Sequence, residues 1–221
     1  MQTDTLTQGA IQLSVLSLNL ILALELFKKV RMYNIQKVIR ENIALKEKII
    51  SDPSLMKTIE SVIDCCTTAF QQDQKIFFCG NGGSAADAQH LATEFSGRFY
   101  LDRAPLFAEA LHVNSSFMTA VANDYSFADV YSRLVQAKGR EGDILFGIST
   151  SGNSENIVKA LAQAKNQGLI TVGFTGATGG TLKEYADHLI NIPSTDTPRI
   201  QEAHILVGHI ICEFVEANLF S

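Results

Sequence analysis

Residues Phe77–Arg98 read FFCGNGGSAADAQHLATEFSGR, and this stretch decides the fold. It opens apolar, as the end of a buried strand over Lys75–Cys79. Gly80, Gly82 and Gly83 then supply a tight turn, and Ser84 is placed to cap a helix running through Ala85, Ala86, Ala88, Leu91 and Ala92. A strand, a glycine turn and a helix start together aim backbone N–H groups at an anion. The helix carries His90 and Glu94 four residues apart, hence on one face. A Gly-rich turn alone is an ordinary connection, and a lone His-x-x-x-Glu pair is an ordinary surface contact. GNGGS fits neither the dinucleotide fingerprint nor the P-loop. The weight lies in the coincidence of an anion cradle and a His/Glu pair on one short element.

From residue 75 onward the pattern alternates between strands and helices. Strands are expected at Lys75–Cys79, Leu106–Val113, Asp143–Ile148, Ile170–Phe174 and His188–Ile192. Helices are expected at Ser84–Phe95, Ser115–Val121, Ala128–Gln136, Ser154–Gln167, Thr181–Ala186 and Arg199–Leu219. Short apolar strands between helices indicate a parallel sheet covered on both faces. Ahead of it, Tyr33–Lys48 and Pro53–Gln71 read as helices, the second with a start signal at Asp52-Pro53. The sequence thus describes one α/β domain over residues 32–221 with a helical N-terminal part.

Residues 1–31 differ in composition. Ala10–Phe27 is mostly apolar but is interrupted by Gln12, Ser14, Ser17, Asn19 and Glu25, too polar and short for a membrane span. No Lys or Arg precedes it, against a secretory signal. The segment reads as an extension, with Met32 as the natural start and an accessory amphipathic helix as the rival reading.

The 221 residues carry a net charge of −5, which gives no electrostatic case for nucleic acid as a partner. Cys65, Cys66, Cys79 and Cys212 form no CxxC, so reduced thiols in a cytoplasmic protein are expected rather than a disulfide framework or a cysteine zinc site. No membrane partner is expected.

A second stretch, Asp143–Ser154, DILFGISTSGNS, runs from a strand into Ser149, Thr150, Ser151 and Ser154 before a helix begins. Four hydroxyls at a helix start exceed what capping needs and suit a phosphate dianion. No lysine sits as in a P-loop, so a nucleoside triphosphate is not indicated. GNGGS and STSGNS are both loops after strands, where ligands bind in open α/β sheets. On the last helix, Gln201 and His209 lie about 80° apart around the axis and about 12 Å along it, within reach of one ion for two long side chains. His204 lies about 140° from His209 and reads as a packed histidine. Asn123 and Asp124, in VANDY, are candidates to bond sugar hydroxyls, although Asn-Asp is a routine turn pair. Gly173–Gly180 is a loop without an assigned role.

CGNGGSAADAQHLATEFSGRF, ANDYSF, EGDILFGISTSGNS and TPRIQEAHILVGHIICE, in this order, resemble the sedoheptulose 7-phosphate (phosphoheptose) isomerases of the sugar isomerase, or SIS, domain group. The resemblance runs from about residue 34 to the C-terminus. It implies a flavodoxin-like five-stranded parallel sheet with helices on both faces, assembled as a homotetramer with active sites at subunit contacts. It implies conversion of D-sedoheptulose 7-phosphate to D-glycero-D-manno-heptose 7-phosphate, towards nucleotide-activated heptose for lipopolysaccharide core or other surface glycans. The family's metal ligands fall on His90, Glu94, Gln201 and His209, with one zinc per subunit. Its substrate contacts fall on Asn81, Gly82, Gly83, Glu94, Asn123, Asp124, Ser149, Thr150, Ser151, Ser154 and Gln201. Its chemistry is a proton transfer through an enediol, with Glu94 as base and His209 as the opposing acid/base. A carboxylate bound to zinc is a weaker base, so the two roles of Glu94 compete.

The alternative is a scaffold of the same fold that binds the bacterial replication initiator. That group lacks the acid at the position of Glu94 and the histidine at that of His209, both of which stand here. A sugar-phosphate-sensing regulatory module is a third reading, and no attached DNA-binding domain accompanies it.

Overall fold

A computed structural model describes residues 34–220. The expected extension, residues 1–31, and the boundary at Met32 lie outside the described residues. The chain falls into two units with the boundary between Asn42 and Ile43, inside the first helix, α1 (Ile35–Ile50). The described part of the first unit is the N-terminal half of α1, with Ile35, Val38 and Ile39 exposed. The second unit holds the sheet.

The second helix, α2 (Pro53–Gln71), starts where the sequence signals it. Asp52 is the N-cap, its Oδ1 accepting from the amides of Ser54 and Leu55 at 3.0 Å each, and Pro53 fills the first turn where its missing N–H costs nothing. After it come β1 (Ile76–Gly80), α3 (Gly83–Ser96), β2 (Ala108–Ala110), α4 (Ser115–Asp124), α5 (Val130–Lys138) and β3 (Ile144–Ile148). Then follow α6 (Glu155–Asn166), β4 (Ile170–Thr175), β5 (His188–Asn191) and the long α7 (Thr197–Phe220).

The five strands form one parallel sheet in the order β2-β1-β3-β4-β5. β1 and β3 are buried along their whole length, because helices cover both faces. Alternate residues feed two cores. Ile76, Phe78, Ile144 and Phe146 pack with α2, α3, α7 and the C-terminal half of α1, while Phe77 and Leu145 pack with α4, α5 and α6. Phe78 and Phe146, paired across β1 and β3, stack with centroids 4.7 Å apart. α7 is long and apolar enough to cross a membrane, but the packing of Ile200, Ala203, Val207, Ile211 and Val215 in the core accounts for its apolarity.

Three expectations are corrected. Ser84 does not cap α3. The helix starts one residue earlier with Gly82 at the N-cap, φ +56°, and Ser84 is buried inside its first turn. The strand expected at Leu106–Val113 is only Ala108–Ala110, after which Leu111–Val113 turns as a 3₁₀ helix. Thr181–Ala186 holds only a 3₁₀ turn, Leu182–Glu184, whose apolar member Leu182 is buried.

Candidate active site

The strand order reverses between β1 and β3, and at such a switch point the loops beyond the strand ends diverge to leave a crevice. Gly80 and Ile148 are paired, so GNGGS and STSGNS leave the sheet side by side. Asn81 and Asn156 tie the two loops together. Each side-chain amide donates to the other's oxygen, at 2.8 and 2.9 Å, and Asn156 is buried. Tyr131, also buried, donates its hydroxyl to the Gly80 carbonyl at 2.6 Å. Neither Asn156 nor Tyr131 stands out in the sequence. Each sits at an ordinary helical position, and only the sheet register brings it to the glycine loop.

In the second loop the Ser149 hydroxyl donates to Ser154 Oγ at 3.1 Å and lies 3.5 Å from Ser151 Oγ, which accepts the Asn153 amide. Ser154 occupies the N-cap position of α6 without a capping bond from its side chain. Three hydroxyls therefore cluster at a helix N-terminus, an arrangement suited to an anion. The loop left unassigned in the sequence buttresses this one. A Cβ at Gly152 would come within 2.2 Å of the Gly179 carbonyl oxygen, and Asn153 Oδ1 accepts from both the amide and the hydroxyl of Thr181. The glycines at 176, 179 and 180 were the signal, since backbone pressed on backbone excludes side chains.

α3 and α7 lie side by side in parallel. Gly83 faces Gln201, Leu91 faces Gly208, and His90 faces His209. A Cβ at Gly208 would meet Leu91 at 2.6 Å, so the missing side chain allows the close approach. His90 Nε2 lies 2.8 Å from His209 Nε2 and 3.2 Å from Glu94 Oε1. One ligand atom from each of the three residues lies within 4.8 Å of the others. The His90 and Glu94 side chains are 49% and 20% exposed, so the cluster is open to a small molecule. Gln201 is elsewhere, its amide packed on the first turn of α3 at Gly83. Asn123 and Asp124 close the C-terminal end of α4, exposed and bonded to each other at 3.0 Å. The structure thus brings together three of the four expected ligand residues, and separately the two loops.

Two imidazoles and a carboxylate are a donor set that zinc accepts. Tetrahedral Zn–N bonds of about 2.0–2.1 Å put donor atoms about 3.3 Å apart, so a small opening of the His90–His209 contact admits the ion. Asp87, one helical turn before His90, has an Oδ2 that is buried without a hydrogen-bond partner among the described residues. Burial pushes its carboxyl above the usual range, and His90 pulls the other way. His204 is buried, as expected of a packed histidine. Its Nε2 faces the Thr175 carbonyl at 3.1 Å, an acceptor only, so Nε2 carries a proton. Burial depresses its pKa to about 4, against the opposing effect of that hydrogen bond.

A five-stranded parallel sheet with its switch-point loops and inward-facing helix pair defines a SIS-type sugar-phosphate domain, and the SIS domain family pattern matches residues 39–176. The phosphoheptose isomerase of Clostridium acetobutylicum is 50% identical over 186 residues, 84% of this chain and 95% of the relative. That of Aneurinibacillus thermoaerophilus is also 50% identical, covering 84% and 94%. The solved phosphoheptose isomerase of Neisseria gonorrhoeae superposes with a TM-score of 0.78 at 38% identity, covering 83% of this chain and 97% of that one. The chain belongs to the phosphoheptose isomerase family and is an enzyme of that kind, a sugar-phosphate isomerase of heptose metabolism.

Proposed function

We propose that the enzyme converts D-sedoheptulose 7-phosphate to D-glycero-D-manno-heptose 7-phosphate through an enediol, towards activated heptose for surface glycans. The observation that carries this reading is the meeting of His90, Glu94 and His209 at one open point. The phosphate would lie on Ser149, Thr150, Ser151 and Ser154, and the sugar would run past Asn81, Gly82 and Gly83, with Asn123 and Asp124 bonding its hydroxyls. Glu94 takes a proton from C1 of the ketose as the C1–C2 enediol forms, and a proton returned to C2 gives the aldose. His209 moves the proton between the two oxygens. His90, Glu94 and His209 would hold one zinc per subunit, with Gln201 joining as a fourth ligand only on swinging its amide off the first turn of α3, and the ion would supply Lewis-acid polarisation of the carbonyl when bound. We place the enzyme in the cytoplasm as a homotetramer with sites at subunit contacts. The reading is supported by the four unpaired cysteines, three of them buried, and by the openness of the cluster on a single subunit.

The test is turnover of sedoheptulose 7-phosphate before and after chelation, with zinc then restored. Activity that falls on chelation and returns with zinc supports the reading. No turnover with or without zinc, combined with binding to a replication initiator, would replace it with the scaffold.

A further inference from the structure

Beyond the three converging side chains, the structure holds a buried ion pair that joins the two helices carrying them. Arg103 and Glu216 are each 3% exposed, and Arg103 Nε donates to Glu216 Oε1 at 2.9 Å. The rest of the Arg103 fork reaches back to the end of α3. Nη2 donates to the carbonyl of Glu94 at 2.9 Å, and Nη1 to that of Phe95 at 2.7 Å and Ala104 at 3.0 Å. The carbonyls of Glu94 and Phe95 belong to the last turn, where no intrahelical donor remains and a cation is favoured. Glu216 in turn accepts the successive amides of Phe99, Tyr100 and Leu101 at 3.1, 2.7 and 2.9 Å, a nest of N–H groups around a carboxylate.

Each half of this clamp is tied to a residue of the cluster. Arg103 bonds the backbone of Glu94 itself. Glu216 follows His209 by seven residues, so it lies about 20° around α7 from it and about 10.5 Å further along. The loop that Glu216 holds places the Phe99 ring 5.8 Å from the His209 ring. Burial raises the Glu216 carboxyl, yet the three amides and Arg103 outweigh it and hold it below the usual carboxylate range, so it is charged at neutral pH.

We infer that Arg103 and Glu216 are positioning residues which set the separation between His90 and Glu94 on α3 and His209 on α7. The inference rests on the proposed metal-binding role of those three. Because both side chains of the clamp are buried, they are out of reach of a bound sugar phosphate, and the clamp acts on the metal and on the rate rather than on sugar-phosphate binding.

The experiment measures zinc affinity by chelator competition, at a temperature where each protein is folded, together with kcat and KM. Glu216→Gln keeps shape but loses charge. Arg103→Lys keeps charge but cannot reach Glu216 and the two carbonyls at once. Changes to groups that orient metal ligands typically cost about 10–100-fold in metal affinity or activity. Both variants should therefore bind zinc at least about 10-fold more weakly and lose kcat in step, while KM stays within about threefold. A merely structural pair would lower the melting temperature and leave zinc affinity unchanged, and that result overturns the inference. The unmodified protein gives a second readout that needs no variant. Coupling is reciprocal, so zinc should slow hydrogen exchange at the amides of Phe99, Tyr100 and Leu101. Bound zinc with unchanged exchange at those three amides also overturns the positioning role. Failure of the unmodified protein to bind zinc at all would instead overturn the metal reading beneath it, and the positioning role with it.

Discussion

His90 and His209, 119 positions apart in the chain, meet Nε2 to Nε2 at 2.8 Å. At that distance one ring nitrogen donates and the other accepts, so the two rings are hydrogen-bonded across the helix pair. The contact therefore joins α3 and α7 at the point where proton transfer is proposed. Glu94→Gln keeps size and most hydrogen bonding but removes the base. His209→Asn removes the acid/base. General acid–base groups contribute about 10²–10⁴-fold in rate, so each variant should lose at least about 10²-fold in kcat. Metal content is measured alongside, and near-normal turnover with metal bound would refute the assignment.

The hydroxyl cluster predicts a different kinetic signature. Ser151 is exposed, and among the described residues its Oγ bonds the Asn153 amide and, at 3.5 Å, Ser149 Oγ. A hydrogen bond to a charged group is worth about 1.5–3 kcal/mol, so Ser151→Ala should raise KM by about 10- to 100-fold with little change in melting temperature. Equal KM values in alanine variants at Ser149, Ser151 and Ser154 would place the phosphate elsewhere.

Much of this site was legible in the sequence. Glycine turns after apolar strands mark the loops because few other residues permit that backbone. A spacing of four puts His90 and Glu94 on one face because the helix has 3.6 residues per turn. The rest needed the tertiary register. Asn156, Tyr131 and Glu216 act through partners 51 to 117 residues away, Arg103 among them at 113, and no local pattern encodes such a partner. The Ser84 expectation failed for a local reason: Gly82, at φ +56°, starts the helix a residue earlier, which turns Ser84 into the core. The short Leu182–Glu184 turn carried too few apolar positions to be told from a helix by periodicity.

Gly83 offers a way to probe Gln201. A Cβ there would come within 2.7 Å of Gln201 Nε2 and 3.1 Å of its carbonyl oxygen, the far end of a flexible side chain. Gly83→Ala should therefore fold normally and push the Gln201 amide away from the first turn of α3. If Gln201 serves the site, kcat/KM falls to about the level of Gln201→Ala, and the two changes combined cost no more than either alone. Additive losses would separate the two residues. Gly152→Ala is the contrasting case. Its φ of +68° and the Gly179 carbonyl 2.2 Å from the new Cβ offer no flexible neighbour, so it should destabilise the protein by more than about 1 kcal/mol.

His204 predicts an acid sensitivity. Its folded pKa of about 4 lies below the ordinary value near 6.5, because the buried site holds the neutral ring. Above pH 6.5 both folded and unfolded chains carry it neutral, and its contribution to stability is complete. Between pH 6.5 and 4 the unfolded chain binds a proton that the folded one refuses, so stability falls. Below pH 4 both are protonated and the loss stops growing. A shift of this size corresponds to roughly 3 kcal/mol across that window. His204→Phe keeps the ring against Phe174, whose centroid lies 5.4 Å away, and gives up the bond to Thr175. The variant should be about 1 kcal/mol less stable at pH 7, yet lose less stability than the unmodified protein on going to pH 4. Urea unfolding at pH 7, 5.5 and 4 measures both. Parallel stability curves for the two proteins would mean that His204 already accepts a proton in the folded state.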